Sequence, residues 1–242
     1  MRDKVFGRQT SYGHIVGILM NDSTIPRIPG DPGHAETFSY PVLYEVLKGF
    51  PFEDLIDSKK DHIDILIAKA KALEKKGVSL VATDCGLFGP FHSALKKQLQ
   101  IPFIGSALDI VPFLKCFLPF DLKVGIITGD TRILKEAHLN ASNIDPDTVL
   151  IAGMENCKEF KKVVIEKSPK LDIEKMQKGV VDAALSLAGE NLGAIVLECT
   201  NLISFRMDIQ KALKRPVFDL VSLIDFYVSG FKLQQFQSRF IE

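Results

Sequence analysis

The sequence predicts an α/β protein built as two similar, pseudo-symmetric, three-layer α/β/α domains with mainly parallel sheets and an interdomain cleft. Three observations predict it. Short apolar runs alternate with stretches of helical spacing along the whole chain. The runs are nearly continuous in Val, Ile, Leu and Ala, as strands covered by helices on both faces must be. One strand–cysteine–helix unit also occurs twice. Residues 80–86 read Leu-Val-Ala-Thr-Asp-Cys-Gly, and 194–201 read Ala-Ile-Val-Leu-Glu-Cys-Thr-Asn.

Residues 14–20 form the first buried strand. The segment 27–33, Arg-Ile-Pro-Gly-Asp-Pro-Gly, is dense in turn residues and reads as a loop. Residues 40–49 are expected to form a short helical stretch. Residues 61–76 make a clear helix: Ile63, Leu66, Ile67, Ala70 and Leu73 share a face, and Gly77 suits the position after its end. Residues 80–83 are the next strand, 92–100 the next helix and 101–105 a third strand. The second half repeats the order. Strands are expected over 123–128, 148–152, 194–198 and from 216 to 219. Helices are expected over 131–139, 173–188, 203–213 and 221–231.

A chain of 242 residues holds one large domain or two small ones. The N-terminal lobe is expected over 1–112 and carries Cys85. The C-terminal lobe is expected over 113–219 and carries Cys199. The segment 220–242 is expected to rejoin the first lobe, and the seam falls within 108–121. Thirty basic side chains balance thirty acidic ones. That neutrality argues against a nucleic-acid or membrane-surface binder. No apolar run approaches the roughly 18–20 residues that span a bilayer, and residues 1–7 carry no signal-peptide core. A cytoplasmic location with reduced thiols is therefore expected. The four cysteines, at 85, 116, 157 and 199, form neither a disulfide framework nor a Cys-x-x-Cys metal pair. His14, His34, His62 and His138 lack metal spacing, and no Gly-rich phosphate loop is present, so neither a metal nor a nucleotide cofactor is expected.

The candidate chemistry lies in the repeated unit. Open α/β sheets bind ligands beyond the carboxyl ends of their strands, where Cys85 and Cys199 fall. A thiol of pKa about 8.5 serves as either acid or base when its surroundings tune it, and a helix start favours the thiolate. Two thiols facing one carbon can remove a proton from one face and return one to the other. Backbone N–H groups at Gly86 and Thr200 are candidates to hold a substrate carboxylate, with Thr83, Thr128 and Thr200 as small donors at strand ends. Arg27 offers a planar fork for a carboxylate. Alternation along a strand places Asp84 and Glu198 behind the site. Asp219 is read as a helix cap or ligand group. His92 is read as a surface residue and Cys116 and Cys157 as structural.

Thr83-Asp84-Cys85-Gly86 and Glu198-Cys199-Thr200-Asn201-Leu202 resemble the two catalytic cysteine motifs of the aspartate/glutamate racemase superfamily. The likeness covers nearly the whole chain. Arg27 to Gly33, with Tyr40-Pro41-Val42, is similar to a version found in less characterised members. The resemblance implies a two-domain enzyme needing no cofactor, with Cys85 and Cys199 as the proton-transfer pair. It also implies a small carboxylate substrate and a homodimer as the common assembly. Three departures are visible. Gly86 follows the first cysteine where glutamate racemases usually carry asparagine. Asn201 stands where they place a histidine. Asn21, Asp22 and Ser23 follow the first strand where an acid is expected. These set glutamate aside more than they set aside two-base chemistry, and they leave a racemase or epimerase of an amino acid or related small acid as the expectation. Maleate-isomerase-like and decarboxylase-like chemistry of the same superfamily is the alternative; the decarboxylases keep one cysteine. A non-catalytic two-lobed binding protein and a cysteine hydrolase are the rivals outside it. The hydrolase needs a histidine base that only His92 offers near either motif.

Overall fold

The computed structural model describes residues 9–189 and 191–231. Its core is a pair of parallel four-stranded sheets. The first holds β1 (Val16–Met20), β2 (Val42–Val46), β3 (Leu80–Thr83) and β4 (Phe103–Ile104), in the order β2-β1-β3-β4. The second holds β5 (Lys123–Thr128), β6 (Val149–Gly153), β7 (Leu192–Leu197) and β8 (Val217–Asp219), in the equivalent order β6-β5-β7-β8. In each half the first strand pairs with the two that come next in the chain. Val16 lies opposite Val42 and Leu80, and Val124 lies opposite Val149 and Ala194.

The helices cover the sheets as their apolar spacing requires. In the first half α1 (Phe52–Asp57), α2 (Ile63–Lys75), α3 (His92–Gln98) and α4 (Val111–Lys115) come in order. Leu66, Ala70 and Leu73 form the buried stripe of α2. It lies so close to β1 that a β carbon on Gly17 would stand 2.8 Å from Leu73 Cδ2, and glycine is what the approach allows. The second half has α5 (Glu136–Ala141) and the short α6 (Lys158–Phe160), which continues into a π-helical turn over Lys161–Ile165. Then come α7 (Ile173–Leu185), α8 (Arg206–Leu213) and α9 (Leu220–Ser229). Asp172 caps α7 by accepting from the Lys175 N–H, and Met176, Val180 and Ala184 are its buried stripe.

Several boundaries differ from the sequence reading. Residues 40–49 are not helical: Val42–Val46 is β2, an edge strand in register with β1. Its residues are half-buried, so it lacks the unbroken apolar run that marks the central strands. The helix expected over 131–139 begins only at Glu136. Asp130 accepts from the Arg132 N–H and Glu155 from the Thr131 N–H, and these bonds hold the chain in a turn. The strand expected over 101–105 shortens to Phe103–Ile104. Helices α1, α4 and α6 are too short for apolar spacing to announce them.

The lobes are fused by packing. Leu220, Val221, Ile224 and Val228 of α9 share one apolar cluster with Leu108 and Val111 of the first half and with Val124 and Val196 of the second sheet. Tyr40 Oη donates to Asp225 at 2.6 Å. Residues 1–8 of the expected first lobe and 232–242 of the returning segment lie outside the described residues. A hydrogen bond between the two halves comes from α5. His138 is fully buried; Nδ1 accepts from the Lys135 N–H and Nε2–H donates to Leu55 O of α1 at 2.8 Å. Burial lowers its pKa, consistent with a neutral ring held between one donor and one acceptor.

Replacing His138 leaves the partly buried Lys135 N–H and the buried Leu55 carbonyl unpartnered at that junction. We expect His138→Ala to lose about 2–3 kcal/mol of unfolding free energy in urea titration. A loss below about 0.5 kcal/mol would show that the α5 junction carries little of the stability.

Candidate active site

The two cysteine motifs have the same local construction. After β3 the chain passes Asp84 and Cys85 into a 3-10 turn, Gly86–Phe91, that runs on into α3. After β7 it passes Glu198 and Cys199 into a 3-10 turn, Thr200–Phe205, that runs on into α8. Each cysteine is the extended residue at the head of its turn. Both are free thiols and both are half-buried.

The motifs cross. Thr200 Oγ1 donates to the backbone carbonyl of Asp84. A β carbon on Gly86 would fall on the backbone carbonyl and side-chain carboxyl of Glu198. The residue after each cysteine thus meets the acid that precedes the other. The remaining strand-end hydroxyls hold the same scaffold. Thr83 Oγ1 donates toward Cys85 O at 3.0 Å and Gly105 O at 3.2 Å. Thr128 Oγ1 donates to Glu198 Oε2 at 2.6 Å. The three threonine hydroxyl protons therefore point at protein acceptors.

Arg27 reaches this centre from the 27–33 loop. Its two terminal nitrogens donate to Asp31 Oδ1 and Asp84 Oδ2, each at 2.6 Å. Asn21 closes the other side of Asp84, its backbone and side-chain N–H groups donating to Oδ1 at 3.0 Å. Asn201 Nδ2 donates to Asp31 Oδ2 at 3.0 Å, and Cys199 Sγ–H points toward Asn201 Oδ1 at 3.8 Å. A loop of the first half is thereby tied to the second cysteine motif. The tie also explains the loop's glycine at 30, whose φ is +108° and whose missing side chain leaves room for Ser204.

Asp31, Asp84 and Glu198 are all at most 3% exposed, and Arg27 is the one cation in contact with them among the described residues. The pKa shifts are the result. Burial pushes Glu198 up to about 7, against the Thr128 hydrogen bond. Burial pushes Asp84 up to about 6, against Arg27 and the Asn21 N–H. Burial, then the charges of Glu198 and Asp84, hold the Cys85 thiol well above its ordinary value; the Leu87 N–H pulls the other way. Burial and Glu198 raise Cys199 likewise, against the Asn201 N–H. Both thiols rest protonated.

The structure thus brings Cys85, Gly86, Thr83, Thr128, Cys199, Thr200, Asn201 and Arg27 into one region. Asp31 and Asn21 belong to it without any signal in the sequence; a Gly-Asp-Pro-Gly run signals a turn before it signals a carboxylate. His92 is not on the surface. It is 8% exposed, and its Nε2 accepts from the Gly105 N–H at 2.9 Å and lies 3.1 Å from Asp109 Oδ2. Asp219 caps α9 by accepting from the Ser222 N–H at 2.8 Å. Cys157 caps α6, and Cys116 is exposed. No cluster of three or more His, Cys, Asp or Glu groups among the described residues is placed to hold a metal ion. None of the described helices is long and apolar enough to cross a membrane.

Comparison with known proteins agrees with this construction. The family model for Asp/Glu/hydantoin racemase matches residues 32–224. A dimethylsulfoniopropionate lyase of Durusdinium sp. clade D is 29% identical over 237 residues, 93% of this chain and 78% of that protein. Dimethylsulfoniopropionate lyase 3 of Emiliania huxleyi is 26% identical over 223 residues, 86% of this chain and 57% of the relative, so the chain spans little more than half of that protein. Allantoin racemase from Pseudomonas fluorescens superposes with a TM-score of 0.58 at 16% identity, covering 93% of this chain and 94% of that one. At that identity the superposition speaks for the fold alone.

The Glu198 shift has a sign that melting can read. An acid whose folded pKa lies above its unfolded one holds its proton better in the fold. Stability therefore falls as pH rises from about 4.5 to about 7. Glu198→Gln removes that loss. The variant should gain on the order of 2 kcal/mol over wild type at pH 8 and little at pH 4.5, read as melting temperatures. The same difference at both pH values would refute the assignment.

Proposed function

This chain belongs to the Asp/Glu/hydantoin racemase family, and on that premise we propose that it is a cofactor-independent carbon-acid lyase. A cysteine thiolate removes the proton α to a carboxylate, and a cationic group then leaves the β carbon. The substrate class is a small sulfonium carboxylate, with dimethylsulfoniopropionate as the type. The observation that carries the reading is the charge around the two thiols: three buried carboxylates, Asp31, Asp84 and Glu198, against the single guanidinium of Arg27. Aspartate or glutamate would bring a second carboxylate into that field. Their ammonium leaves them a net negative charge, whereas a sulfonium zwitterion carries one carboxylate, a fixed cation and no net charge, and is also the substrate type named for the Durusdinium relative.

The steps balance. Glu198, partly ionised at neutral pH with its pKa near 7, takes the thiol proton once a bound cation has lowered the thiol pKa. The thiolate takes the α proton. The electron pair of that C–H bond becomes the second bond of a C=C, and the C–S pair leaves on sulfur. The products are a neutral dialkyl sulfide, an α,β-unsaturated carboxylate and one proton, released to water through the thiol and Glu198. Entry of a cation favours this, because positive charge beside Cys85 and Cys199 opposes the burial and like charge that hold both thiols protonated. Backbone N–H groups at Gly86 and Thr200, with Asn201 and Arg27, are assigned to the substrate carboxylate. Thr83, Thr128 and Thr200 fix the strand ends that present the thiols.

The equivalent placement of Cys85 and Cys199 favours a second reading: racemisation, in which the carbanion is reprotonated from the opposite face by the other thiol. The two readings share the α-proton step and part at the fate of the carbanion.

Purified protein supplied with dimethylsulfoniopropionate should release dimethyl sulfide, read by headspace chromatography, and acrylate in equal amount. Of Cys85→Ser and Cys199→Ser, the one that removes the base should lower kcat by at least about 100-fold, because a hydroxyl is a far weaker base than a thiolate, and the other should lower it much less. Cys116→Ser and Cys157→Ser should stay close to wild type. No sulfide from wild type, with α-deuteration and racemisation of an amino acid or hydantoin in deuterated water, would replace the lyase with the racemase. An equal loss at both cysteines would show that the second thiol also takes part, as it does in racemisation.

A further inference from the structure

Next to the thiol network, with the hydrogen-bonded Asp31 and Asn201 in its wall, lies a cavity of about 20 Å³, room for one methyl-sized group. Its walls include Ile28, Val163, Met176 and Phe205, with Asp31 and Asn201 as the polar members. Two features set it apart from a packing defect. The π-helical turn Lys161–Ile165 brings two consecutive residues, Val163 and Val164, to the same wall. Such turns are uncommon and concentrate at functional sites. Asp31 also has a lone-pair position to spare. Oδ1 accepts from Arg27 and the Gly33 N–H, and Oδ2 accepts from Asn201 alone.

We infer that this cavity is an onium subsite: Asp31 recognises the positive centre of a sulfonium or quaternary ammonium carboxylate, and the apolar walls receive one of its alkyl groups. The inference rests on the proposed reading of the same site and assigns its specificity. An alkylated onium has no N–H to donate. It needs a desolvated carboxylate and apolar or aromatic walls, which spread contact over its alkyl surface. Ile28, Val163, Met176 and Phe205 supply the walls, and Asp31, 3% exposed, supplies the charge. Position agrees with chemistry as well. Asn201, a wall of the cavity, lies 3.8 Å from Cys199 Sγ, so one residue separates cavity and thiol, and in a β-elimination the leaving sulfur and the carbon that loses its proton are near neighbours, two bonds apart.

The test reads binding alone, by calorimetry, with unreactive probes. Trimethylammonio-propionate is compared with its carbon isostere, in which a quaternary carbon replaces the nitrogen. Wild type should bind the ammonium at least about 10-fold more tightly, and Asp31→Asn should bring the two within about 2-fold. Triethylammonio-propionate should bind wild type at least about 10-fold more weakly than the trimethyl probe, and Met176→Ala should narrow that gap. Equal binding of the isosteres by wild type overturns the inference, as does a preference that survives Asp31→Asn or a size gap unmoved by Met176→Ala. Should Asp31→Asn fail to fold, the wild-type comparison and Met176→Ala still decide. A wild type that cleaves the sulfonium substrate but binds the isosteres equally loses the subsite and keeps the lyase. One that prefers the onium but releases no sulfide keeps the subsite and loses the lyase.

Discussion

The site depends on one crossed contact. Thr200 donates to the carbonyl of Asp84, and Glu198 lies against Gly86. Each cysteine is the next residue in sequence to one member of that contact, so the contact fixes both strand ends at once. It is made from backbone and short side chains, which have few rotamers to lose on ordering. The Arg27–Asp84 pair, the Asn201–Asp31 bond and the Thr128–Glu198 bond all attach to residues that this contact already holds. Gly86 is part of the arrangement. A side chain there would occupy the space of Glu198, so the position where glutamate racemases usually carry asparagine is filled here by the partner motif's carboxyl group.

Burying three carboxylates around one guanidinium costs free energy, since an ion loses its hydration and regains only part of it from partners. The fold meets the cost unevenly. Asp84 has Arg27 and two N–H groups, whereas Glu198 has one hydroxyl and is pushed up to about 7. Strained protonation of this kind concentrates where a ligand will supply what is missing. The thiols carry the same message, because burial and like charge are what hold them protonated. A cation beside them opposes the like charge of Glu198, the contribution second to burial, without any change in geometry.

Much of this was legible in the sequence. The central strands β3 and β5 were read to the residue because an unbroken apolar run has no other stable place in an α/β sheet. The recurrence of strand, acid, cysteine and helix gave the pseudo-symmetry and both thiols. The features that escaped lie where burial is partial or the contact is remote. β2 is an edge strand with half-buried residues, and its Tyr44 and Glu45 are compatible with a helix until the pairing with β1 is seen. Asp31 and Asp84 lie far apart in sequence, and nothing local says that Arg27 joins them. His92 was misplaced for the same reason: Gly105 and Asp109, which surround it, lie on the next strand end and beyond.

The fold is compatible with both the racemase and the proposed lyase reading. Both need a carbanion α to a carboxylate, and two strand ends facing each other provide a base and the means to hold the acid. The fate of that carbanion is set by the substrate and by the second face. Without a leaving group it must be reprotonated, and two equivalent thiols make that step productive. With a sulfonium on the β carbon, as proposed, loss of a neutral sulfide competes with reprotonation. The two motifs here have equivalent backbones but unequal surroundings. Glu198 acts on both thiols, but Cys85 also feels Asp84, whereas Cys199 feels Asp31 and stands beside Asn201 in place of the histidine expected of a glutamate racemase. A symmetric backbone with asymmetric charge suits a reaction that begins as racemisation does and ends in one direction.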